Sequence, residues 1–344
     1  LHLSIRRQRQ MCIRDRLSGL NTIADELDWV KQNSTKVCWL ILENLSRERL
    51  HDHPLGKYIP WKHVQIIEIS RDPVEQHTMI IQCATRIANH VTTLRYKHHT
   101  KDWFDLLLHS YPSPPGSGAH LILDWSDYFG IHGQPLQHQY WAHAERALHD
   151  VKTTLSTIGI TRLSIIPNGI HLTGAVLCGA VFSNTVRFIR DCRVANIFEN
   201  KTTWWDTGVV GKWTGIRVHP MYAPHDEDSD ISLEWGFYQP VNTINKRNQK
   251  FLNSSFAPSL SQRLQMLPEE GDKVIIESER NAMAIAALFR QLVQQPIDGT
   301  FHLFGAMPAA LAVLFGRQLN ACPPVQCYEF GQADDNKQSY VVCA

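Results

Sequence analysis

The chain is conspicuous first for what it lacks. In 344 residues there is no uninterrupted run of eighteen apolar residues, and the mean hydropathy is −0.25, so no transmembrane helix is expected. The longest greasy stretch, Ala306 to Phe315, is short enough to read as a buried core segment. Charge of one sign is also missing: 34 Lys and Arg against 33 Asp and Glu leave a formal +1. Without a whole-chain basic field, tight sequence-independent binding to long nucleic acid is not expected. The eight cysteines are scattered, with no paired CxxC and no His at ligand spacing. Neither a zinc knuckle nor a disulfide framework follows, and the thiols read as reduced, in a cytoplasmic protein without a visible signal peptide.

Chemical signatures are equally scarce. GxGxxG after a strand, GxxxxGK[ST], GxSxG and HExxH are all absent, which removes the dinucleotide, P-loop, nucleophile-elbow and zincin readings. Histidine is abundant, eighteen in all, with His51/His53 and His98/His99 grouped, but no Cys or acidic partner stands at metal-ligand spacing. Asp102 and Glu68 do not complete a nuclease carboxylate set. No metal or cofactor is expected, and no catalytic residue can be named.

The first sixteen residues, LHLSIRRQRQMCIRDR, hold five arginines and one acid. RQRQMCIRDR looks like translated sequencing-adapter read-through, so 1–16 are set aside as non-native, and the native N-terminus is expected to be missing. The remaining chain carries a net charge of −3.

What is present is a repeated alternation. In 17–110, helices are expected over Asn21–Lys31 and Thr78–Val91, and strands over Val37–Leu42 and Val64–Ile69. Tyr111 to Gly118 packs three prolines, two serines and two glycines into eight residues, a domain boundary by composition. Beyond it come strand His120–Asp124, helix Tyr140–Ile158, strand Leu163–Ile166, a helix from Ile170 to Phe182 and strand Val186–Ile189. The series recurs as strand Lys273–Ile276, helix Asn281–Val293, strand Phe301–Phe304, helix Pro308–Leu319 and strand Val325–Phe330. A shift of 137 lays Ala175–Gly179 on Ala312–Gly316, and a shift of 139 lays Val186 on Val325. The order predicts two α/β units with parallel sheets, a pseudo-symmetric pair of Rossmann-like halves. Residues 200–270 read as irregular, their tryptophans (Trp204, Trp205, Trp213, Trp235) packing between the halves and Asp226–Asp228 forming a solvated loop.

In open α/β sheets small molecules bind beyond the carboxyl ends of the strands. Those ends read Asp124–Phe129, Pro167–Gly169, Glu277–Arg280 and Gly305–Pro308. Gly305 and Ala306 allow close backbone approach, with Met307 beside them. Pro308 suits a first helical turn whose free N–H groups would receive a phosphate. Trp125, Tyr128 and Phe129 offer planar faces for a base; Ser126, Asn168 and Arg280 offer hydrogen bonds. Pro167 and Ser278 complete the candidate set.

At these residues the chain resembles a family. Phe301-His-Leu-Phe-Gly-Ala-Met-Pro-Ala-Ala-Leu-Ala-Val-Leu-Phe-Gly-Arg317, followed by Val325-Gln-Cys-Tyr-Glu-Phe330, is similar to the C-terminal half of SAVED domains, and the resemblance extends over about 119–344. It implies two fused CARF-like halves, 119–212 and 213–344, joined through the 111–118 linker to a partial effector or connector at 17–110. It implies a ligand as well: a cyclic oligonucleotide, often a cyclic trinucleotide, made by a cognate nucleotidyltransferase or CRISPR polymerase in anti-phage (CBASS or type III CRISPR) signalling. Binding between the halves would activate an attached effector, with a ligand-induced homo-oligomer as one route. Residues 17–110 match no TIR, HNH or PD-(D/E)xK nuclease pattern. Two other readings stay open, a Rossmann-like enzyme acting on a nucleotide-sized substrate and an oligomerising scaffold built on the tryptophan-rich middle.

Overall fold

The computed structural model describes residues 38–43, 52, 64–69, 103–111, 118–126, 138–183, 185–186, 188–198, 201–211, 215–221, 230–237, 240–253, 258, 260–269, 271, 276, 278–295, 297–332 and 338–342. The chain divides into two units, Leu1–Ile87 and Ala88–Ala344. In the first, β1 (Cys38–Glu43) pairs in parallel with β2 (Val64–Ile69), from Cys38 opposite Val64 to Glu43 opposite Ile69. The helices expected at 21–31 and 78–91 and the histidine pairs 51/53 and 98/99 lie outside the described residues.

The second unit holds two sheets. One contains β3 (Phe104–His109), β4 (Leu121–Asp124), β5 (Arg162–Pro167), β6 (Asp191–Phe198) and β7 (Lys201–Asp206), in the order β4-β3-β5-β6-β7 with only β7 antiparallel. The other contains β8 (Ile216–Met221), β9 (Asp230–Gly236), β10 (Leu260–Pro268), β11 (Phe301–Ala306), β12 (Val325–Gln332) and β13 (Gln338–Val342), in the order β13-β12-β11-β9-β10-β8. Its four central strands are parallel, and β13 and β8 run antiparallel at the edges. Leaving out β8, the second sheet reads β10-β9-β11-β12-β13, the same arrangement as the first. The halves are topological copies, as the sequence order predicts.

Helix α1 (His138–Thr157) buries Trp141, Ala144, Leu148, Val151 and Leu155, spaced by three or four residues along one face. Helix α4 (Glu279–Val293) does the same with Ala282, Ile285, Ala286, Phe289 and Val293. Helices α2 (Leu172–Val181) and α5 (Ala309–Gly316) are different: Leu-Thr-Gly-Ala-Val-Leu-Cys-Gly-Ala-Val and Ala-Ala-Leu-Ala-Val-Leu-Phe-Gly have no polar face, and both are buried almost throughout. A helix apolar all round belongs inside a core. They pack on each other at Gly179 and Gly316. A Cβ at Gly179 would strike the Val313 carbonyl oxygen and lie 2.8 Å from Arg317 N; one at Gly316 would strike the Val176 carbonyl oxygen and lie 2.9 Å from Ala180 N. Every partner in this pair is related by the same offset of 137, so the contact is a pseudo-two-fold axis inside one chain. Around it runs one continuous apolar core, with Phe289 stacked on Phe315 at 4.1 Å and Trp235 edge-on to both.

Some elements fall elsewhere than expected. The strand placed at Val186–Ile189 is instead β6, starting at Asp191; Val186 lies in a turn bonded to Ser183. Residues 200–270 are not irregular: they hold β7, β8, β9, β10 and α3 (Val241–Leu252), and β9 is central to its sheet. Its alternate side chains explain why it does not read as apolar. Glu234, 1% exposed, accepts from Arg263 Nε at 2.6 Å and Nη2 at 2.9 Å, and from Asn248 of α3 at 2.8 Å. Of the expected strand 273–276 only Ile276 is described, and it is not in a strand; β10 occupies that place in the series. The proline-rich stretch 111–118 runs between β3 and β4, which are hydrogen-bonded neighbours in one sheet.

Candidate functional site

Strand order fixes where each sheet can hold a ligand. In the first sheet the chain leaves β3 towards β4 on one side and leaves β5 towards β6 on the other. The crevice beyond the carboxyl ends of β3 and β5 is therefore a topological switch point. By the same argument the second sheet has its switch point between β9 and β11.

At the first switch point β3 ends in His109-Ser110-Tyr111 and β5 in Pro167-Asn168-Gly169. His109 Nδ1 lies 2.7 Å from the Asn168 carbonyl oxygen, and Ser110 N and Tyr111 N both donate to the Gly169 carbonyl, at 2.8 and 3.1 Å. Gly169 sits at φ +64°, a left-handed conformation that favours glycine, and a Cβ there would lie 3.0 Å from the His109 ring, which would have to give way. Ser110 Oγ receives the His171 backbone N–H at 2.9 Å and lies 2.7 Å from His171 Nδ1, while Tyr111 stacks on the His171 ring at 4.5 Å. His171 is also the N-cap of α2, and its side chain gives the helix no capping bond. That service comes from the other half: Thr173 N donates to Glu329 Oε1 of β12 at 2.5 Å. Glu329 is buried, which pushes its carboxyl up to about 7 against the hydrogen bond from Thr173. Burial, with the Glu329 charge beside it, raises the Tyr111 hydroxyl to about 12.

At the second switch point β11 ends in Gly305-Ala306, and Phe237 N, just past β9, donates to the Ala306 carbonyl at 2.8 Å. Gly305 has φ +148°, with the Trp235 carbonyl against the face where a Cβ would stand. Pro308 is the N-cap of α5, and no acid occupies the first turn of that helix. Leu311 N and Ala312 N both donate to the Pro308 carbonyl, at 2.9 and 3.1 Å, so only the N–H groups of Ala309 and Ala310 lack an intrahelical acceptor by geometry.

The expected site residues divide accordingly. Pro167 and Asn168 end β5 at the first switch point. Trp125 and Ser126 lie one strand further out, beyond β4, where Trp125 is buried and its N–H donates to the His109 carbonyl at 2.7 Å. Gly305, Ala306, Met307 and Pro308 form the turn at the second switch point, with Met307 packed on the core. Ser278 is the N-cap of α4, accepting from Asn281 N at 3.3 Å. Arg280 is exposed beside it, and the neighbouring Glu279 accepts from Asp206 N at 3.3 Å. Asp206 pairs with Arg193 near the amino end of β6, so it is Glu279, next in sequence to Arg280, that reaches the amino edge of the first sheet. Tyr128 and Phe129 lie outside the described residues. Sequence reasoning missed Ser110, Tyr111, His171 and Glu329. The signal for the first two was the apolar run Phe104-Asp-Leu-Leu-Leu-His109 directly before them; for Glu329 it was its place in the Tyr-Glu strand.

The described residues thus form a duplicated Rossmann-like unit with one topological switch point in each sheet. The profile of the SAVED family, "SMODS-associated and fused to various effectors sensor domain", matches residues 157–343, and the chain belongs to that family. Among solved structures the chain is similar to the Acinetobacter baumannii Cap4 SAVED/CARF-domain receptor with the cyclic trinucleotide 2'3'3'-cAAA (TM-score 0.52, 15% identity, covering 94% of this chain and 77% of that one). The same receptor with 3'3'3'-cAAA gives a TM-score of 0.51 at 16% identity, covering 96% of this chain and 78% of that one. The Moraxella osloensis Cap4 SAVED/CARF-domain receptor gives 0.52 at 13% identity, covering 94% and 85%. At such identities the likeness is one of fold. No curated protein matches the chain. Among the described residues, no helix is long and apolar enough to cross a membrane.

Proposed function

We propose that this chain is a receptor for a cyclic oligonucleotide second messenger, of the cyclic trinucleotide class, which it binds across the carboxyl edges of its two halves. The observation that carries the reading is the duplicated switch point in a SAVED-family chain. Each half presents a glycine turn, at Gly169 and Gly305, followed directly by the N-terminus of a buried helix. The residues assigned to the ligand are Trp125, Ser126 and Asn168 in the first half and Gly305, Ala306, Met307 and Pro308 in the second. Tyr111 joins them as a stacking face at the first switch point, held by Ser110 and His171 behind it. The two halves are assigned to 103–206 and 215–342, since β3 supplies a central strand to the first. Ligand joining the halves would favour one arrangement of the α2–α5 pair, and an effector in an anti-phage response would read that shift.

The test is a thermal-shift titration of the full chain against cyclic di-, tri- and tetranucleotides. A ligand that binds only the folded chain adds about 2.7 kcal/mol at a hundred times its dissociation constant, a readily measured rise in melting temperature. A cyclic trinucleotide is expected to give it. A flat response across the panel from folded protein would overturn the proposal, and turnover of any nucleotide would replace it with the enzyme reading.

A further inference from the structure

The two halves are copies in topology but not at the starts of their central helices. At α2 the N-cap His171 turns its ring to Ser110 and Tyr111, and the first turn holds no acid. A carboxylate nevertheless sits on the terminus, delivered across the pseudo-two-fold axis by Glu329, 6% exposed, with Thr173 N at 2.5 Å. At α5 there is nothing equivalent among the described residues. Pro308 gives no side-chain cap, the first turn holds no acid, and Leu311 N turns back to the Pro308 carbonyl at 2.9 Å. Glu329 is the fifth residue of β12; the fifth residue of β6, its counterpart, is Ala195, buried and without a polar side chain. The far end of α2 is held from the same side: Arg317, the C-cap of α5, donates through Nη1 to the Phe182 carbonyl. The second half thus sets an acid at the positive end of α2 and a base at its negative end, both favourable to the helix dipole.

We propose that Glu329 is a specificity-determining residue: its carboxylate is the resident occupant of the α2 terminus and closes that terminus to a ligand phosphate. The inference rests on the reading of this edge as an oligonucleotide site. The physical basis is competition. Carboxylate and phosphate oxygens seek the same N–H groups, and the tethered one holds them without the cost of association. A ring that presents a phosphate to the first half finds the α2 terminus already taken.

The test needs no cyclic nucleotide. Inorganic phosphate is titrated against the full chain at pH 8 and constant ionic strength, with melting temperature as the readout. Wild type and Glu329→Gln, which keeps an acceptor in place, are expected to respond alike. Glu329→Ala is expected to gain an additional saturable rise of about 3 °C at ten times its phosphate dissociation constant. Adding Thr173→Pro, which deletes the N–H but suits a first helical turn, should abolish that gain. Should the alanine variant not fold, Glu329→Thr suits a strand, is too short to reach Thr173, and carries the same expectation. An identical phosphate response in wild type and both shortened variants overturns the inference, as does a gain that survives Thr173→Pro. Neither result depends on whether the cyclic-oligonucleotide panel binds.

Discussion

Replacing Gly316 by alanine tests the pseudo-two-fold contact on which the two halves turn. In an isolated helix the change is favourable by about 1 kcal/mol, because alanine restricts the unfolded chain and suits the helix. Here the added methyl meets the Val176 carbonyl oxygen, with Val176 C at 2.8 Å and Ala180 N at 2.9 Å. All three are backbone atoms of a buried helix, so no side chain can swing aside, and α2 and α5 must separate. Overpacking of this kind costs about 1–3 kcal/mol, and separating two helices that are buried all round adds lost packing to it. The net expectation is a destabilisation of about 2 kcal/mol, a drop of about 4–8 °C in a unit of this size. Gly179→Ala should behave alike, since its methyl meets Val313 and Arg317. The double variant should lose less than the sum, because one separation relieves both clashes. Thermal and urea denaturation of the four proteins measures all of this. A Gly316→Ala variant as stable as wild type would refute the close-contact argument.

Other predictions are independent of that contact. Glu329 carries a proton more firmly folded than unfolded, so its ionisation weakens the fold as pH rises from about 4.5 to about 7, by roughly 3 kcal/mol in all, and no further above that. Glu329→Gln should remove that part of the slope in denaturant melts taken across the range, and an unchanged slope would count against its burial as the cause. Arg263→Met leaves Glu234 buried without its cationic partner and should cost about 3–5 kcal/mol, whereas Arg263→Met with Glu234→Met should recover much of the loss. Arg317→Met strands the Phe182 carbonyl and should cost about 1–3 kcal/mol.

How far the sequence could be read depended on where local pattern and pairing agree. The helices α1, α2, α4 and α5 and the strands β4, β5, β11 and β12 announce themselves by apolar spacing or run, and the offset of 137 survives in the structure at the caps His171 and Pro308 and at Gly179 and Gly316. Strand β9 does not, because alternate side chains form a buried polar face: Glu234 accepts from Ser232, Arg263, Gln265 and Asn248, so hydropathy reads as mixed where burial is complete. Strand β6 interrupts its apolar residues with Arg193 and Asn196, and Val186-Arg-Phe-Ile189 ahead of it carries the stronger strand pattern. Composition marks 111–118 as a boundary, yet that stretch joins two strands of one sheet. The candidate site was legible only as a set of strand ends. Which ends meet at a switch point follows from strand order, a matter of long-range pairing that no local pattern encodes. Glu329 was hidden for the same reason, since its partner Thr173 is 156 residues away.

The central claim, one ligand held at the carboxyl edges of both halves, is tested most directly by hydrogen exchange of the full chain with and without a cyclic trinucleotide. The account predicts simultaneous protection of 109–111 and 168–171 in the first half and of 305–311 in the second, saturating at one ligand per chain, with the amino-edge turns 188–191 and 297–300 unchanged. Protection confined to one half, or appearing at the amino edge, would contradict it.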